Sequence, residues 1–542
     1  MTDLVIRGGL VVDGTGAPPR QADVAINGGR IEAIGRDVGG GGARVVDASG
    51  LVVAPGFFDF HSHADFTLPN NPSAINSISQ GVTTEVTGVC GFSPAPLSPD
   101  RARATIYQDS MTALGPELEW RWSTFDEFLS ELERVRPPVN CAALVGHNAV
   151  RSAVMGYEDR KPTAAEVGAM GSLVGDAMKE GAWGLSSGLI FSPGTYSDVD
   201  EMAALAAVVA DHDGIYASHI RNEGADLIGA VEEALEVGRR TGVAVNISHL
   251  KATGVDNYGL VQEAFDALDQ ARSLGMRASC DVYPYTAGSC FLAVVTPGWV
   301  QEGGFDRLVE RLGSREIRER LKHEMQLGLP GWNSIYRAAG GWDRFLISSV
   351  NDESLKPYEG FSIEELARRA GIDPFEFTFD LLVADRAGTA IVVFLMDEKD
   401  MRDVVSYPWS VIGSDQILVT GRKRNIHPRA YGSFAKILGS FVREEGMLPL
   451  ETAIHKMTGL PAAILGMTDR GRLTRGWVAD VVLFDPAAIL DRADYSNSTT
   501  LAQGVELVLL SGETAFEAGE ATRPGLGHVL RHATRRSVTR PR

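Results

Sequence analysis

Two histidines separated by one residue stand at the end of an apolar run. His61 and His63 follow Gly56-Phe57-Phe58-Asp59-Phe60, a segment with the composition of a buried strand. Side chains at positions i and i+2 of a strand point to the same side, so both imidazoles can face one metal ion. A His-x-His pair is weak evidence by itself, because such a pair can also be structural. The pair therefore defines a candidate metal site that needs further ligands.

Three more residues of metal-ligand type end apolar runs in the same way: Cys90, His219 and His249. A thiolate and two imidazoles suit Zn2+ with a fourth position open for water, whereas Mg2+ or Ca2+ would call for oxygen ligands. Taken singly, Cys90 also fits an inert buried thiol, and each histidine fits a hydrogen-bonded core residue. Their common placement at strand ends favours a zinc site.

Two further polar residues occupy similar positions. Asp415 follows the run 411–414 late in the chain. A carboxylate there can touch a metal and take a proton from its water. An N-cap is the ordinary role of an aspartate after a strand, but the other ligands favour the catalytic role. His147 also ends a strand, where it can orient the substrate or a neighbouring ligand.

The middle of the chain has the pattern needed to bring these residues together. From about residue 55 to about residue 439, short apolar runs alternate with helical patterns, which is typical of βαβ units and a parallel sheet. The predicted strands include 83–86, 141–145, 184–185, 215–218, 244–248, 277–282 and 411–413. Their spacing predicts a (β/α)8 TIM barrel, in which functional side chains gather at the carboxyl ends of the strands.

Both ends of the chain contain short β segments separated by turn residues, which predicts one β-sandwich built from the two ends. A charged helical segment followed by a Gly-rich run interrupts the barrel pattern and is expected to cover its mouth. The predicted layout is a sandwich from 1–57 and 440–527 with 440–475 partly helical, a barrel over 58–439, a lid-like insertion over 290–345 and a loose tail over 528–542.

Bulk composition restricts the class of partner. The chain of 542 residues has a formal charge of −19, which disfavours nucleic acid and anionic membranes because the average field repels polyanions. Four cysteines are too few for a disulfide framework. No signal peptide or apolar stretch of spanning length is visible. We therefore expect a cytoplasmic protein with a small-molecule substrate, and homo-oligomer formation stays open.

Several motifs, taken in order, resemble a known family. The pattern Gly-x-x-Asp-x-His-x-His, the later strand-end histidines and the terminal aspartate are similar to the amidohydrolase superfamily over most of the chain. More closely, five segments resemble the N-acyl-D-amino-acid deacylases, or D-aminoacylases: Gly88-Val89-Cys90-Gly91-Phe92-Ser93, Gly184-Leu185-Ser186-Ser187-Gly188-Leu189, Ser218-His219-Ile220-Arg221-Asn222-Glu223, Ser248-His249-Leu250-Lys251 and His427-Pro428-Arg429-Ala430-Tyr431-Gly432.

The resemblance implies a role for each candidate ligand. Cys90, His219 and His249 would hold the main zinc ion, and His61 and His63 would line a weaker second position. Asp415 would be the catalytic base. Many superfamily members bridge two metals with a carboxylated lysine, yet residues 181–189 contain no lysine, so Cys90 is expected to take that role. This absence argues against a hydantoinase or dihydroorotase.

Substrate contacts follow partly from chemistry and partly from the resemblance. An N-acyl amino acid carries a free α-carboxylate that needs a cation, and Lys251 lies two residues past His249 on the same side of its strand. The resemblance assigns Lys251 and Tyr283 to that carboxylate. Phe191 and Tyr196, in a Gly-rich segment, are expected to form a pocket for an apolar side chain, although aromatic residues there can also serve packing.

The predicted reaction is hydrolysis of N-acyl-D-amino acids with apolar side chains, and the preference for the D form follows from the resemblance alone. The first alternative is a deacylase for N-acyl-D-glutamate or N-acyl-D-aspartate. It requires a cation in the side-chain pocket, for which the candidates are Arg221, Arg402, Arg422 and Arg429. The others are an amidohydrolase acting on cyclic amides and a non-catalytic scaffold. A scaffold would be expected to have lost ligands or Asp415, and the sequence keeps them all.

Overall fold

Parallel strands form the centre of the fold in the computed structural model, which describes residues 2–39, 41–115, 118–417 and 427–533. Hydrogen bonds link neighbouring strands around the barrel. The barrel closes where the N–H of Phe60 donates to the carbonyl of Ile412 (3.2 Å) and that of Asp415 to the carbonyl of His61 (2.7 Å). In chain order, its strands in the described residues are Phe57–Asp59, Val82–Thr87, Asn140–Ala143 with Val145–Gly146, Gly184–Gly188, Ile215–His219, Ala244–Ile247, Ala278–Val282 and Ser410–Ile412.

Helices surround the barrel, and their ends follow local sequence signals. In the helix Ala164–Glu180, Thr163 and Glu166 form a capping box, and the chain leaves the helix at Gly181, whose φ of 115° favours glycine. None of the described helices is long and apolar enough to cross a membrane. The helices outside the insertion are Ile75–Ile78, Arg101–Ser110, Phe125–Val135, His147–Met155, Ala164–Glu180, Val199–Ala210, Leu227–Thr241, Val261–Ser273, Glu398–Ser406, Arg429–Lys436 continued by the π-helix Ile437–Glu444, Leu450–Met457 and Gly459–Leu465.

Strands from both ends of the chain join in one hydrogen-bonded sheet. Val52–Pro55 pairs in parallel with Leu4–Val11 and antiparallel with Val481–Phe484, so the two ends meet on this strand. Val53 faces the sheet's own core, whereas Val52 and Ala54 face the barrel core, as the two-residue repeat of a strand requires. The sheet contains Leu4–Val11, Arg20–Asn27, Arg30–Gly35, Arg44–Asp47, Val52–Pro55, Val481–Phe484, Val505–Leu510, Glu513–Glu517 and Glu520–Ala521.

The insertion is larger than its predicted span of 290–345. Its strands Ala287–Phe291, Phe345–Ser349 and Ala390–Phe394 form an antiparallel sheet with Ala390–Phe394 in the centre. Because this central strand pairs with both others, the insertion continues to residue 394 and encloses an apolar core of its own. Its helices are Gly298–Gln301, Phe305–Arg311, Arg315–Leu327, Ile335–Ala339, Ile363–Ala370 and Pro374–Ala384.

Two C-terminal segments pack on the barrel, contrary to the predicted layout. Helix Leu450–Met457, assigned from the sequence to the sandwich domain, contacts the first and last barrel strands. The prediction of a loose tail from residue 528 is wrong for residues 528–533. Cys141 N donates to the carbonyl of His528 (2.9 Å), Leu530 N donates to the carbonyl of Cys141 (2.8 Å), and Arg531 pairs with Glu133 (2.8 Å). The remainder of the predicted tail lies outside the described residues.

Candidate active site

The predicted metal ligands converge at the carboxyl ends of the barrel strands. Their ligand atoms form three overlapping groups, and within each group the atoms lie within 4.8 Å of one another. All of these side chains are buried. The groups are His61 with His63 and Cys90, Cys90 with His219 and His249, and His61 with His249 and Asp415.

Cys90 belongs to two of the three groups. Its Sγ lies 3.2 Å from Nε2 of His61 and 3.3 Å from Nε2 of His249. On the other side, Oδ1 of Asp415 lies 3.5 Å from Nε2 of His61 and 3.4 Å from Nε2 of His63. A thiolate, four imidazoles and a carboxylate therefore surround one small volume, which is a donor set that fits zinc.

Some polar atoms of this cluster have no hydrogen-bond partner in the protein. Both ring nitrogens of His219 are buried without a hydrogen bond. Burial lowers the pKa of His219 and of His249 well below the usual value, which leaves neutral rings with a lone pair to offer. Burial also raises the pKa of the Cys90 thiol to about 11, so a bound cation is needed to hold the thiolate at neutral pH. The residues thus fit a metal ion.

Three ligand residues adopt a left-handed backbone. The φ angle is 54° at Cys90, 34° at His249 and 51° at Asp415. Residues other than glycine rarely adopt this region, and such strain is concentrated at functional sites. Backbone hydrogen bonds hold two of these turns: His249 N donates to Oδ1 of Asp281 (2.7 Å), and Asp415 N donates to the carbonyl of His61.

Asp281 is a functional residue that sequence reasoning missed. Its Oδ1 lies 2.9 Å from Nδ1 of His61, and its Oδ2 accepts a hydrogen bond from Asn246 (2.7 Å). A carboxylate on the far nitrogen of a metal-binding histidine orients the ring and fixes its tautomer. The available signal was position, because Asp281 lies near the carboxyl end of the strand Ala278–Val282, the end of a barrel strand where functional side chains gather.

A pocket opens above the cluster. Lys251, Tyr283 and Glu223 line it near the ligands, and Phe191 lines it beside His219, with 4.8 Å between the two ring centroids. Most of the remaining wall is apolar and comes from the barrel loops and the insertion, for example Phe92, Ile190, Phe291, Val294, Val393 and Leu395. The pocket therefore combines one cationic, polar end with apolar walls.

Two predicted site residues do not line this pocket in the described structure. The hydroxyl of Tyr196 donates to the carbonyl of Gly298 (2.8 Å), so this ring packs against the insertion. His147 is fully buried, with Nε2 2.7 Å from Oε1 of Glu201, and belongs to a structural ion-pair cluster with Arg151. Both residues lie near active-site loops in sequence, but their side chains point away from the pocket.

The candidate arginines for an acidic side chain are also engaged elsewhere. Arg221 pairs with Glu233 (2.9 Å) and donates to the carbonyl of Ser197 (2.8 Å). Arg402 pairs with Glu398 and Glu445. Arg429 pairs with Asp415 (2.7 Å), and Arg422 lies outside the described residues. Among the residues that can be placed, none of these arginines lines the pocket.

Comparison with known proteins adds an independent observation. A model described as "Amidohydrolase family" matches residues 44–516, which is most of the chain. The chain belongs to the amidohydrolase family. Two relatives of this amidohydrolase come from Alcaligenes xylosoxydans xylosoxydans. N-acyl-D-aspartate deacylase is 37% identical over 527 residues, covering 96% of this chain and 94% of the relative. D-aminoacylase is 35% identical over 529 residues, covering 97% of each.

A solved structure extends the likeness to the fold. The N-acyl-D-glutamate deacylase from Bordetella bronchiseptica, complexed with zinc and a phosphonate that mimics the tetrahedral reaction intermediate, has 34% identity and a TM-score of 0.82. The alignment covers 98% of this amidohydrolase and 99% of that chain. The prediction of a TIM barrel and the resemblance to the deacylases are thus confirmed.

Proposed function

We propose that this amidohydrolase is a zinc-dependent deacylase that cleaves N-acyl-D-amino acids with apolar side chains into a carboxylate and a free D-amino acid. The observation that carries the proposal is the convergence of Cys90, His219 and His249 beside Asp415 at the floor of one pocket. The preference for the D form rests on the names of the relatives, each of which is a deacylase or aminoacylase of D-amino acids.

Two neighbouring metal positions are part of the proposal. Cys90, His219 and His249 would hold the tighter zinc ion, because they supply one soft and two borderline donors. His61 and His63 would line the weaker position beside Asp415. Cys90 lies within 3.3 Å of ligand nitrogens from both sets, which supports its use as the bridge in place of a lysine.

The residues supply the rest of the chemistry. A zinc ion bound here would supply Lewis acidity, lowering the pKa of a water molecule from about 15.7 toward about 7 and polarising the amide carbonyl. Asp415 accepts the proton of the attacking water on Oδ1, the oxygen that faces the ligand cluster, and returns it to the leaving nitrogen, which could not depart as an amide anion. Arg429 holds the other oxygen of Asp415 and so fixes the direction of the carboxylate.

The pocket supports a particular class of substrate. The α-carboxylate would lie at the polar end, near Nζ of Lys251 and the hydroxyl of Tyr283. The amino-acid side chain would then lie against the apolar wall that contains Phe191. An N-acyl-D-glutamate or N-acyl-D-aspartate substrate would place a second carboxylate against that wall, where burial of an unpaired charge is costly. Because relatives named for N-acyl-D-glutamate and N-acyl-D-aspartate exist, the substrate panel below includes both acidic substrates.

A substrate panel tests the proposal directly. Zinc-loaded protein is incubated with the N-acetyl derivatives of D-methionine, D-leucine, D-glutamate and D-aspartate, each beside its L enantiomer, and free amino acid is measured. We expect release from the apolar D substrates and a zinc signal in the same preparation. Preference for the acidic D substrates would support the alternative, and no release from any member would reject the deacylase function.

A further inference from the structure

Glu223 lies in the loop that follows the barrel strand Ile215–His219, four residues past the ligand His219. Its side chain is only 9% exposed and lines the active-site pocket. Thr253 N donates to the carbonyl of Glu223 (2.7 Å), which joins this loop to the loop that follows His249. The position of the carboxylate is therefore defined by the backbone of two neighbouring barrel loops.

One oxygen of this carboxylate contacts two residues with different functions. Oε1 of Glu223 lies 2.5 Å from Nζ of Lys251 and 3.1 Å from Nδ1 of His249. Lys251 is assigned to the substrate carboxylate and His249 to the metal. Glu223 thus contacts the substrate-binding part and the metal-binding part of the site at once.

The proton on His249 decides what Glu223 does there. Nε2 of His249 faces Sγ of Cys90 and belongs to the ligand group, so its lone pair must be free for the metal. A neutral imidazole has one N–H and one lone pair, which places the proton on Nδ1. Lys251 lies 2.7 Å from Nδ1, but an ammonium group only donates and cannot accept this proton. Oε1 of Glu223 is the acceptor that the structure places beside it.

Oε1 of Glu223 also limits the movement of the Lys251 ammonium group. Nζ of Lys251 is held by Glu223 and lies 5.8 Å from the centroid of the Tyr283 ring, on the wall of the pocket. A flexible ammonium held in this way loses little further freedom when a substrate carboxylate arrives. With the proton on Nδ1, the ammonium and the imidazole both donate although Nζ and Nδ1 lie only 2.7 Å apart, so a carboxylate oxygen within reach of both is needed to accept from them.

We propose that Glu223 is a positioning residue that accepts the Nδ1 proton of His249, so that Nε2 faces the metal, and holds Lys251 ready for the substrate carboxylate. The first part concerns the metal ligand alone, and the second part rests on the proposed function. Carboxylates that orient ligand histidines typically change metal affinity by about 10-fold to 100-fold when they are replaced.

The experiment compares Glu223→Gln with Glu233→Gln. Glu233 lies in the adjoining helix, pairs with Arg221 and does not line the pocket, so it is a matched control for the loss of one partly buried carboxylate. Zinc affinity is measured on apoprotein by competition with a chromophoric chelator. KM is measured for N-acetyl-D-methionine and for its carboxamide, which lacks the anionic carboxylate.

We expect Glu223→Gln to weaken zinc binding by about 10-fold or more and to reduce the preference for the carboxylate substrate, with neither change in Glu233→Gln. Equal zinc affinities in wild type and Glu223→Gln would overturn the role at His249. An unchanged preference for the carboxylate substrate would overturn the role at Lys251.

If the Gln variant does not fold, Glu223→Asp replaces it in the zinc measurement. This variant keeps the charge on a side chain that is one methylene shorter, and it should bind zinc more weakly than wild type. Absence of hydrolysis by wild type would refute the proposed function, while the zinc titration would still test the first role.

Discussion

Nη1 of Arg429 lies 2.7 Å from Oδ2 of Asp415, and both side chains are buried. The other oxygen of the same carboxylate, Oδ1, faces the Nε2 atoms of His61 and His63. Asp415 therefore has one oxygen bound to a protein cation and one directed at the ligand cluster. The guanidinium of Arg429 also lies 4.7 Å above the ring of Tyr283, so its position depends on the substrate-binding wall.

Replacement of Arg429 by Met should move the acidic limb of the pH profile of kcat/KM to higher pH. Burial raises the pKa of Asp415, but Arg429 and His61 outweigh it and hold the pKa well below the usual value. Loss of the cation raises this pKa, so as the pH falls Asp415 becomes protonated, and stops acting as a base, at a higher pH than in wild type. Profiles of zinc-saturated protein from about pH 4 to about pH 9 measure the limb. Arg402→Met, in a more exposed pair with Glu445, should leave it in place.

Asp415→Asn should lower kcat by a factor of about 10²–10⁴, the usual contribution of a general base. Zinc bound by Cys90, His219 and His249 should remain, because that ligand group does not include Asp415. Steady-state rates and metal content on the same preparation test both expectations. A kcat near the wild-type value would remove Asp415 from the proton transfer.

Cys90→Ser should lose the tighter zinc ion, because a neutral hydroxyl is a much poorer zinc ligand than a thiolate. Cys290→Ser is the control, since Cys290 lines the same pocket but belongs to none of the ligand groups. Metal content after gel filtration should fall in the first variant and stay constant in the second. Equal content in the two variants would contradict the assignment.

Phe191→Ala should reduce kcat/KM for N-acetyl-D-methionine by about 10-fold to 100-fold, since a buried phenyl ring contributes about 1.5–3 kcal/mol. N-acetyl-D-alanine should be affected less, because its methyl group reaches less of the wall. Tyr196→Phe should leave both substrates unchanged, because the Tyr196 hydroxyl is bound to Gly298 outside the pocket. A similar loss in both variants would show that the wall is assigned incorrectly.

Lys456 gives a prediction about stability and pH. Burial lowers the pKa of this lysine to about 8, from a usual value of 10.5. Between these values the unfolded chain binds more protons than the folded chain, so the free energy of unfolding should rise with pH across that window. In Lys456→Met this rise should be smaller by up to about 3 kcal/mol. Thermal unfolding at several pH values measures the slope, and equal slopes would exclude the effect.

The positions of the main ligands were predictable because each one ends an apolar run. His61, Cys90 and Asp415 occupy this position, and parallel strands of a barrel bring their carboxyl ends to one rim. The strand pattern therefore predicts the side chains that meet there, although Asp415 lies 354 positions after His61 in the chain.

Contacts that depend on loop conformation were not predictable in this way. Glu223 ends one of the motifs in the sequence but receives no role there, and its contact with Lys251 requires that two loops be joined through Thr253. Tyr196 lies close to Phe191 in the chain, yet a short 3-10 helix, Gly194–Tyr196, turns its ring toward the insertion. The insertion itself ends on a strand whose partners are distant in sequence, which local patterns do not reveal.

The strand Val52–Pro55 can complete its pairing only late in synthesis of the chain. It precedes the first barrel strand directly, but its antiparallel neighbour, Val481–Phe484, leaves the ribosome more than four hundred residues later. During that interval one edge of the nascent sheet has no partner, and such edges invite association with other chains. We therefore expect the growing polypeptide to depend on chaperones until its C-terminal strands emerge, and truncation before residue 481 to leave a product that aggregates.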